Sequence, residues 1–217
     1  MCLYNIKIDT TPYYFFSTAT MPPISMTIAE LSARLATHIG KEIVCPLTHN
    51  KGAAGLLLET LTGIPHTSNC LDCTDGELKV YPVVRHPTKG LVPKETVAVT
   101  MVSPDDLRAS DYESSRPGKK MGTVLFVPYE RKGDNVVFLS QYTFRPQDHP
   151  DIAATLRADY DAIRQGFIAD GTLTSSTGTL LQNRTKGAGH GSTSRAFYLR
   201  KEFMQKVIPN PTGPVME

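Results

Sequence analysis

The chain has 217 residues, of which 40% are hydrophobic and 20% are charged, and its formal net charge is +2. This composition is ordinary for a globular protein, and the length suits one sizeable domain with a buried core. A run of about 18 apolar residues would indicate a transmembrane helix, and the chain contains none. The N-terminus lacks the basic and apolar segments of a secretory signal. We therefore expect a cytoplasmic, single-domain protein over residues 1–217, with no membrane contact and with residues 1–25 as an extended lead-in.

Two helices are predicted before the first strand. Thr27 and Glu30 have the spacing of a capping box, which begins a helix that ends near His38. A second helix is predicted from Ala53 to Leu61, with Gly63 as its terminating residue.

A series of predicted strands follows, each rich in β-branched or aromatic residues. They cover Glu77–Val84, Thr96–Val102, Thr123–Pro128, Val136–Tyr142 and Thr179–Asn183. The polar segment Ser103–Lys120 is predicted to be a long exposed loop, and a long helix is predicted from Pro150 to Gly171. The segment Phe197–Val207 is predicted to contain a strand or helix entry and a short helix. Helices before and after central strands predict a mixed α/β layer fold.

Basic residues are concentrated between Leu181 and Lys206. Six basic residues stand there against one acid, Glu202: Arg184, Lys186, Arg195, Arg200, Lys201 and Lys206. Such a surface suits contact with phosphates, and a solvated basic face is the alternative.

Glu77 and Lys79 are the most informative pair in the chain. They are two residues apart on a predicted strand, so both side chains project from the same face. Asp72 and Glu59 lie upstream, and carboxylates beside an ammonium suit the binding of a divalent cation and the activation of water against a phosphodiester. The alternative is a solvated pair of charges on a strand surface.

The four cysteines are Cys2, Cys45, Cys70 and Cys73. The spacing of Cys70 and Cys73 is compatible with zinc, with Cys45 and His66 as further ligands. A zinc ribbon needs a second well-spaced pair, which the sequence lacks, so reduced thiols are the favoured interpretation.

Four blocks in this order resemble the MutH mismatch-repair endonucleases and the related GATC-cutting type II restriction enzymes. The blocks are Lys51-Gly-x-x-Gly-x-x-Leu-Glu59, an Asp in the following loop, Gly76-Glu77-Leu-Lys79 and Phe197-Tyr-Leu-Arg-Lys-x-Phe203. The resemblance covers most of the chain beyond residue 25. It implies a restriction-endonuclease-like PD-(D/E)xK fold, in which a mixed sheet is flanked by helices and two sub-lobes surround a DNA cleft. It also implies Mg²⁺-dependent hydrolysis of one phosphodiester at or near unmethylated GATC, switched on in MutH by a MutL partner.

The resemblance assigns catalytic roles to four residues. Asp72 and Glu77 correspond to magnesium ligands, and Lys79 to the residue that orients or deprotonates the attacking water. Glu59 corresponds to an additional acid that holds a second metal or a metal-bound water. The five-residue separation of Asp72 from Glu77 is shorter than the family's, so Asp75 is an alternative ligand, although it lies only two residues before Glu77.

The resemblance also assigns DNA contacts. Lys51 corresponds to a residue that touches phosphate, and Lys120 to a lysine close to the active site. Arg184 and Lys186 correspond to an Arg-x-Lys that reaches the recognition bases, and guanine is the commonest target of such side chains. Tyr198 corresponds to an aromatic residue near the adenine that methylation marks, with core packing as the alternative.

Several functions remain open from the sequence. The first is a MutH-type nickase that acts on double-stranded DNA with a MutL-type activator, as a monomer off DNA. The second is a partner-independent restriction enzyme, favoured by the short, divergent segment Gly187–Arg195. A DNA-binding module without catalysis and a zinc-dependent regulator that uses Cys70 and Cys73 are further alternatives.

Overall fold

The computed structural model describes residues 26–46, 52–65, 69–187, 192–208 and 210–212. The helices are α1 (Ile28–Ala36), α2 (Ala53–Thr62), α3 (Pro104–Ala109), α4 (Arg116–Lys120), α5 (Pro150–Asp170) and α6 (Lys201–Val207), with a 3-10 turn at Pro146–Asp148. The strands are β1 (Glu42–Val44), β2 (Glu77–His86), β3 (Gly90–Pro93), β4 (Val97–Met101), β5 (Val124–Lys132), β6 (Asn135–Phe138), β7 (Tyr142–Phe144), β8 (Leu181–Thr185) and β9 (Arg195–Leu199). The predicted lead-in, residues 1–25, lies outside the described residues.

The strands form two sheets. The larger has the order β1-β6-β5-β2-β3, and β7 also pairs with β5. Strands β2 and β5 are parallel, whereas the other pairs of this sheet are antiparallel. The smaller sheet has the order β4-β9-β8 and is antiparallel. This arrangement confirms the predicted mixed α/β class with a mixed central sheet.

Strand β5 lies at the centre of the larger sheet and is buried on both faces. Leu125 and Val127 point to one face and pack in a cluster with α1 and α2. Val124 and Phe126 point to the other and pack with α5, α6 and the smaller sheet. A strand buried on both faces needs a continuous apolar run, which explains why the sequence does not alternate here.

Helix α5 begins and ends where the sequence predicts. Pro150 occupies its first turn, and Gly171 ends it with a φ of +77°. Leu156, Tyr160 and Ile163 are buried along one face. Asp159, on the same helix, is also buried, and its carboxylate accepts hydrogen bonds from the backbone N–H groups of the segment that leads into β8.

The prediction of a long exposed loop at Ser103–Lys120 is wrong, because helices α3 and α4 lie within this segment. Ser103 and Ser115 cap these helices, and each cap is followed by a proline in the first turn. This combination is a helix-start signal that holds even in a polar segment. Leu107 and Tyr112 are buried, so the segment packs onto the protein rather than extending into solvent.

The other predicted elements differ mainly at their ends. The capping box of Thr27 and Glu30 is confirmed, and Gly63 ends α2 with a φ of +75°. The predicted strand Val136–Tyr142 is divided into β6 and β7, because buried Ser140 leaves the sheet and donates to the carbonyl of Pro211 at 2.7 Å. Over the described residues, none of the helices has the length and apolar character that crossing a membrane requires.

Candidate active site

The candidate active site lies at the start of β2, beside the start of β5. Glu77 is the first residue of β2, and its N–H donates to the carbonyl of Thr123 at 2.9 Å. Its side chain is only 2% exposed. Lys79 projects from the same face, as the strand period predicts, and its Nζ lies 2.6 Å from Glu77 Oε1.

A second lysine contacts the same carboxylate oxygen. Lys120 ends α4, and its Nζ also lies 2.6 Å from Glu77 Oε1. Lys120 is separated from Glu77 by 43 positions in the chain. The side chains of Lys79 and Lys120 are 17% and 16% exposed, so both ammonium groups reach the carboxylate from the edge of the core.

The other oxygen of this carboxylate is unpaired. Glu77 Oε2 is buried, and no described residue gives it a hydrogen bond. A buried acceptor without a partner is costly, so this oxygen is suited to an external cation. The chemistry of the oxygen therefore fits a hard divalent ion such as Mg²⁺.

Asp72 lies at the edge of β2 next to Glu77. Along a strand, successive N–H groups point to opposite sides. The N–H of Glu77 points to β5, and that of Leu78 points away from it and donates to Asp72 Oδ2 at 3.0 Å. The short loop before β2 thus places the Asp72 carboxylate one residue from Glu77.

Asp75 is engaged in a different contact. Its Oδ1 accepts from the N–H of Ile28, the first residue of α1, at 2.7 Å, and its side chain is exposed. A carboxylate at a helix N-terminus satisfies one of the free N–H groups and favours the helix dipole. The geometry therefore supports Asp72, rather than Asp75, as the acid that accompanies Glu77.

Glu59 lies on a helix and not on the strand that carries Glu77 and Lys79. It lies on α2, which packs through Ala54 and Leu58 onto the face of the central sheet opposite to Glu77 and Lys79. Within the described ranges, no three Asp, Glu, His or Cys side chains converge as a metal-binding group. The role of Glu59 stays a prediction, and Lys51 lies outside the described residues.

The cysteines give no support to a zinc site. Cys45, Cys70 and Cys73 are free thiols, and His66 lies outside the described residues. Cys73 is buried, and burial, followed by the charges of Asp72 and Asp75, raises the pKa of its thiol to about 12. Zinc binds the thiolate form, which this environment disfavours.

A basic surface lies on β8 and β9. Arg184 and Tyr198 share the face of the smaller sheet opposite to buried Phe197, as the strand register shows. The Arg184 guanidinium lies 5.5 Å from the centre of the Tyr198 ring. Tyr198 is half-buried and Lys186 is exposed, and the role of Tyr198 stays a prediction. Arg195 and Arg200, which the sequence assigned only to the general basic patch, line one pocket together with Arg184.

Comparison with known proteins gives a family match over the same region and one similar curated protein. The family model for the DNA mismatch repair enzyme MutH matches residues 68–147, which include Asp72, Glu77, Lys79 and Lys120. A DNA mismatch repair protein MutH from Shewanella woodyi is 32% identical over 160 residues, which are 63% of this chain and 65% of that protein. The match thus spans slightly less than two thirds of this relative. The segment that carries the candidate site is thus similar to DNA mismatch repair enzymes of the MutH type, and it lies in a mixed sheet flanked by helices.

Proposed function

We propose that this protein is a Mg²⁺-dependent DNA endonuclease of MutH type that nicks the unmethylated strand at or near GATC. The observation that carries the proposal is the environment of Glu77. One of its buried carboxylate oxygens binds two lysines, the other is unpaired, and Asp72 lies beside it at the strand edge. This set of groups suits metal-assisted attack of water on a phosphodiester.

Asp72 and Glu77 would hold the metal, since carboxylate oxygens are its preferred protein ligands. A bound magnesium ion supplies charge neutralisation at the scissile phosphate and a more acidic water. Asp72 keeps Oδ1 available, because its bond to the Leu78 N–H uses Oδ2. The Asp72 carboxylate is held by the backbone of β2, and the Glu77 carboxylate is held by Lys79 and Lys120.

Lys79 and Lys120 would act on the reacting groups. Lys79 would orient the attacking water and offset the negative charge that develops on the phosphate. Lys120, held by the same Glu77 oxygen, adds a second positive charge at the mouth of the site. Glu59 would hold a second metal or a metal-bound water, and Lys51 would contact a phosphate.

DNA recognition is assigned to the basic surface. Arg184 and Lys186 would read base edges, and Tyr198 would lie near the adenine whose methylation is sensed. The exposure of Arg184 on β8 and of Lys186 just after this strand, together with the stacking of Arg184 over Tyr198, supports this assignment. A MutL-type activator, a monomeric state off DNA and a cytoplasmic location complete the proposal.

A type II restriction endonuclease is the second candidate. It is favoured by the connection between β8 and β9, where the pairing continues to Thr185 and Arg195 and leaves only a short connecting segment between them. The resemblance to MutH proteins implies a longer segment at this point of the sequence, in the part that reads bases. The chemistry at Glu77 would be the same, but both strands would be cut without a partner.

One set of incubations separates these candidates. Plasmids with unmethylated, hemimethylated or fully methylated GATC sites are incubated with the protein and Mg²⁺, with and without a MutL protein. Nicks that need MutL and occur only in unmethylated strands are expected. Linear DNA without MutL would favour the restriction enzyme, and intact plasmid under every condition would contradict both.

A further inference from the structure

A pocket of about 400 Å³ opens along β8 in the smaller sheet. It lies on the basic surface but extends past the residues assigned to base reading. Its lining residues are polar or basic: Ser175, Gln182, Arg184, Thr185, Arg195 and Arg200. Three of these six carry guanidinium groups, and none of the described lining residues carries a carboxylate.

Arg200 is held in the pocket wall by backbone contacts. Its N–H donates to the carbonyl of Leu180 at 2.8 Å, and its Nη2 donates to the carbonyl of Ser175 at 2.8 Å. Its Nε is buried and has no acceptor among the described residues. The guanidinium is therefore fixed in place while part of its hydrogen-bonding capacity remains unused.

Arg195 is fixed by the neighbouring strand. Its Nε donates to Asn183 Oδ1 at 2.6 Å, and its Nη2 donates to the Asn183 carbonyl at 3.2 Å. These acceptors are neutral, so neither compensates the positive charge. Arg184 is the third arginine; its guanidinium contacts the hydroxyl of Thr96 at 3.3 Å, and among the described residues no acid forms an ion pair with it.

Three arginines line this one cavity, and like charges repel one another unless an anion lies between them. A phosphate suits this arrangement, because the planar fork of arginine matches two phosphate oxygens. The guanidinium groups of Arg195 and Arg200 are both tethered, so little side-chain entropy would be lost on binding. Arg184 lines the pocket and also stacks on Tyr198, so a phosphate bound here would be next to the base-reading surface.

We propose that this pocket binds a backbone phosphate of the DNA and that Arg200 is its principal contact. The inference rests on the proposed function, since it names a part of the same substrate. It differs from the base-reading role of Arg184 and Lys186, because a phosphate contact carries no sequence information. The pocket would set the position of the duplex on β8 and β9.

The test measures the affinity for a DNA duplex without metal, by fluorescence anisotropy at several salt concentrations. Arg200→Gln is expected to weaken binding by about tenfold. The loss of affinity should be equal for a duplex that contains GATC and for a duplex that lacks it. The slope of log K against log salt should fall by about one unit, as expected when one phosphate contact is lost.

Two further variants make the test specific. Arg157→Gln removes an exposed arginine of α5 that pairs with Glu113 and does not line the pocket, and it should bind DNA within about twofold of wild type. Ser175→Asp places a carboxylate on the exposed side of the pocket and leaves the Ser175 carbonyl in place, so it should weaken binding with the fold intact. Thermal unfolding checks that each variant is folded. If Arg200→Gln does not fold, the affinity of Ser175→Asp for DNA decides whether the inference holds.

The outcomes separate this inference from the proposed function. If wild type binds DNA and Arg200→Gln binds it equally, with an unchanged salt slope, the phosphate pocket is wrong and the endonuclease proposal is unaffected. A loss confined to the GATC duplex would mean a base contact and would also overturn the inference. If wild type binds neither duplex, the proposed function fails and the inference fails with it.

Discussion

Glu77 supplies the buried negative charge of the candidate site. Its carboxylate is almost fully buried, and a buried charge is tolerated only when it is paired. Lys79 and Lys120 both lie 2.6 Å from Oε1, so one negative charge faces two positive charges. This excludes the solvated pair that the sequence left open for Glu77 and Lys79. The excess positive charge beside an unpaired carboxylate oxygen suits a site that receives a phosphate together with a cation.

Asp72 and Asp75 differ in what their carboxylates contact. Asp72 accepts from the strand that carries Glu77, whereas Asp75 accepts from the start of α1. This difference favours Asp72 over Asp75 as the residue that would share a metal with Glu77.

This difference predicts unequal effects of the same substitution. Asp72→Asn should lower the rate of plasmid nicking by roughly 100-fold or more, since the charge that a metal ligand supplies is worth several kcal/mol. Asp75→Asn should stay within a few-fold of wild type, because its amide oxygen can still accept from the Ile28 N–H. Initial rates of nicked-circle formation measure both. Full activity of Asp72→Asn together with an inactive Asp75→Asn would reverse the assignment.

Helix α4 is the element that brings Lys120 to Glu77. It begins at Ser115, whose hydroxyl donates to the carbonyl of Tyr112 at 2.7 Å and accepts from the Gly118 N–H at 3.2 Å. A Cβ at Gly118 would lie 1.7 Å from the Tyr112 carbonyl oxygen. Only glycine fits this close approach of the helix to the preceding turn.

Substitution by alanine should therefore change the stability of the protein in opposite directions at two helical glycines. Gly118→Ala should lower the free energy of unfolding by about 1–3 kcal/mol, because the backbone must move to relieve the clash. It should also lower the nicking rate, since Lys120 follows two residues later. Gly55→Ala in α2 is the matched control. It has open space at its Cβ, and alanine should stabilise the helix by about 0.5–1 kcal/mol.

Urea unfolding curves measure both changes. Equal stability of Gly118→Ala and wild type would show that α4 is not held as tightly as the contact with Tyr112 indicates.

Local chemistry explains which elements the sequence predicted. The capping box at Thr27, the glycine at position 63 and the proline at position 150 act within a few residues, so their patterns identify α1, α2 and α5. Helices α3 and α4 have equally local caps at Ser103 and Ser115, but their polar composition obscured them. Strand β1 is short and was not predicted, since it forms only by pairing with β6.

In the candidate site too, the sequence predicted what local geometry decides and missed what distant packing decides. Glu77 and Lys79 share a face because a strand has a period of two, which is visible in sequence. The contact of Lys120 with Glu77 depends on how α4 packs, and that is decided by distant residues. The choice between Asp72 and Asp75 depends on the direction of one backbone N–H, which the spacing alone does not reveal.

At the scale of the whole molecule, one apolar cluster joins the strand of the candidate site, β2, to the smaller sheet that carries the basic surface. Phe126 of β5 lies in register beside Lys79 of β2, and its ring is 5.8 Å from that of Phe203 in α6. The same cluster contains Leu181 and Phe197 of the smaller sheet. The proposed cutting and reading surfaces are thus connected through packed side chains, which would fix the distance between the bases read and the bond cut.

We propose that the carboxylate of Glu77 holds the metal ion of a DNA endonuclease. The most direct test compares wild type with Glu77→Gln in Mg²⁺-dependent nicking of unmethylated GATC plasmid, with a MutL protein present, and measures duplex binding of both proteins without metal. We predict that wild type nicks the plasmid and that chelation of the metal stops it. Glu77→Gln should lose cleavage by at least about 100-fold and should bind DNA at least as tightly, since Lys79 and Lys120 lose their counter-charge. Cleavage by Glu77→Gln at the wild-type rate would contradict the claim.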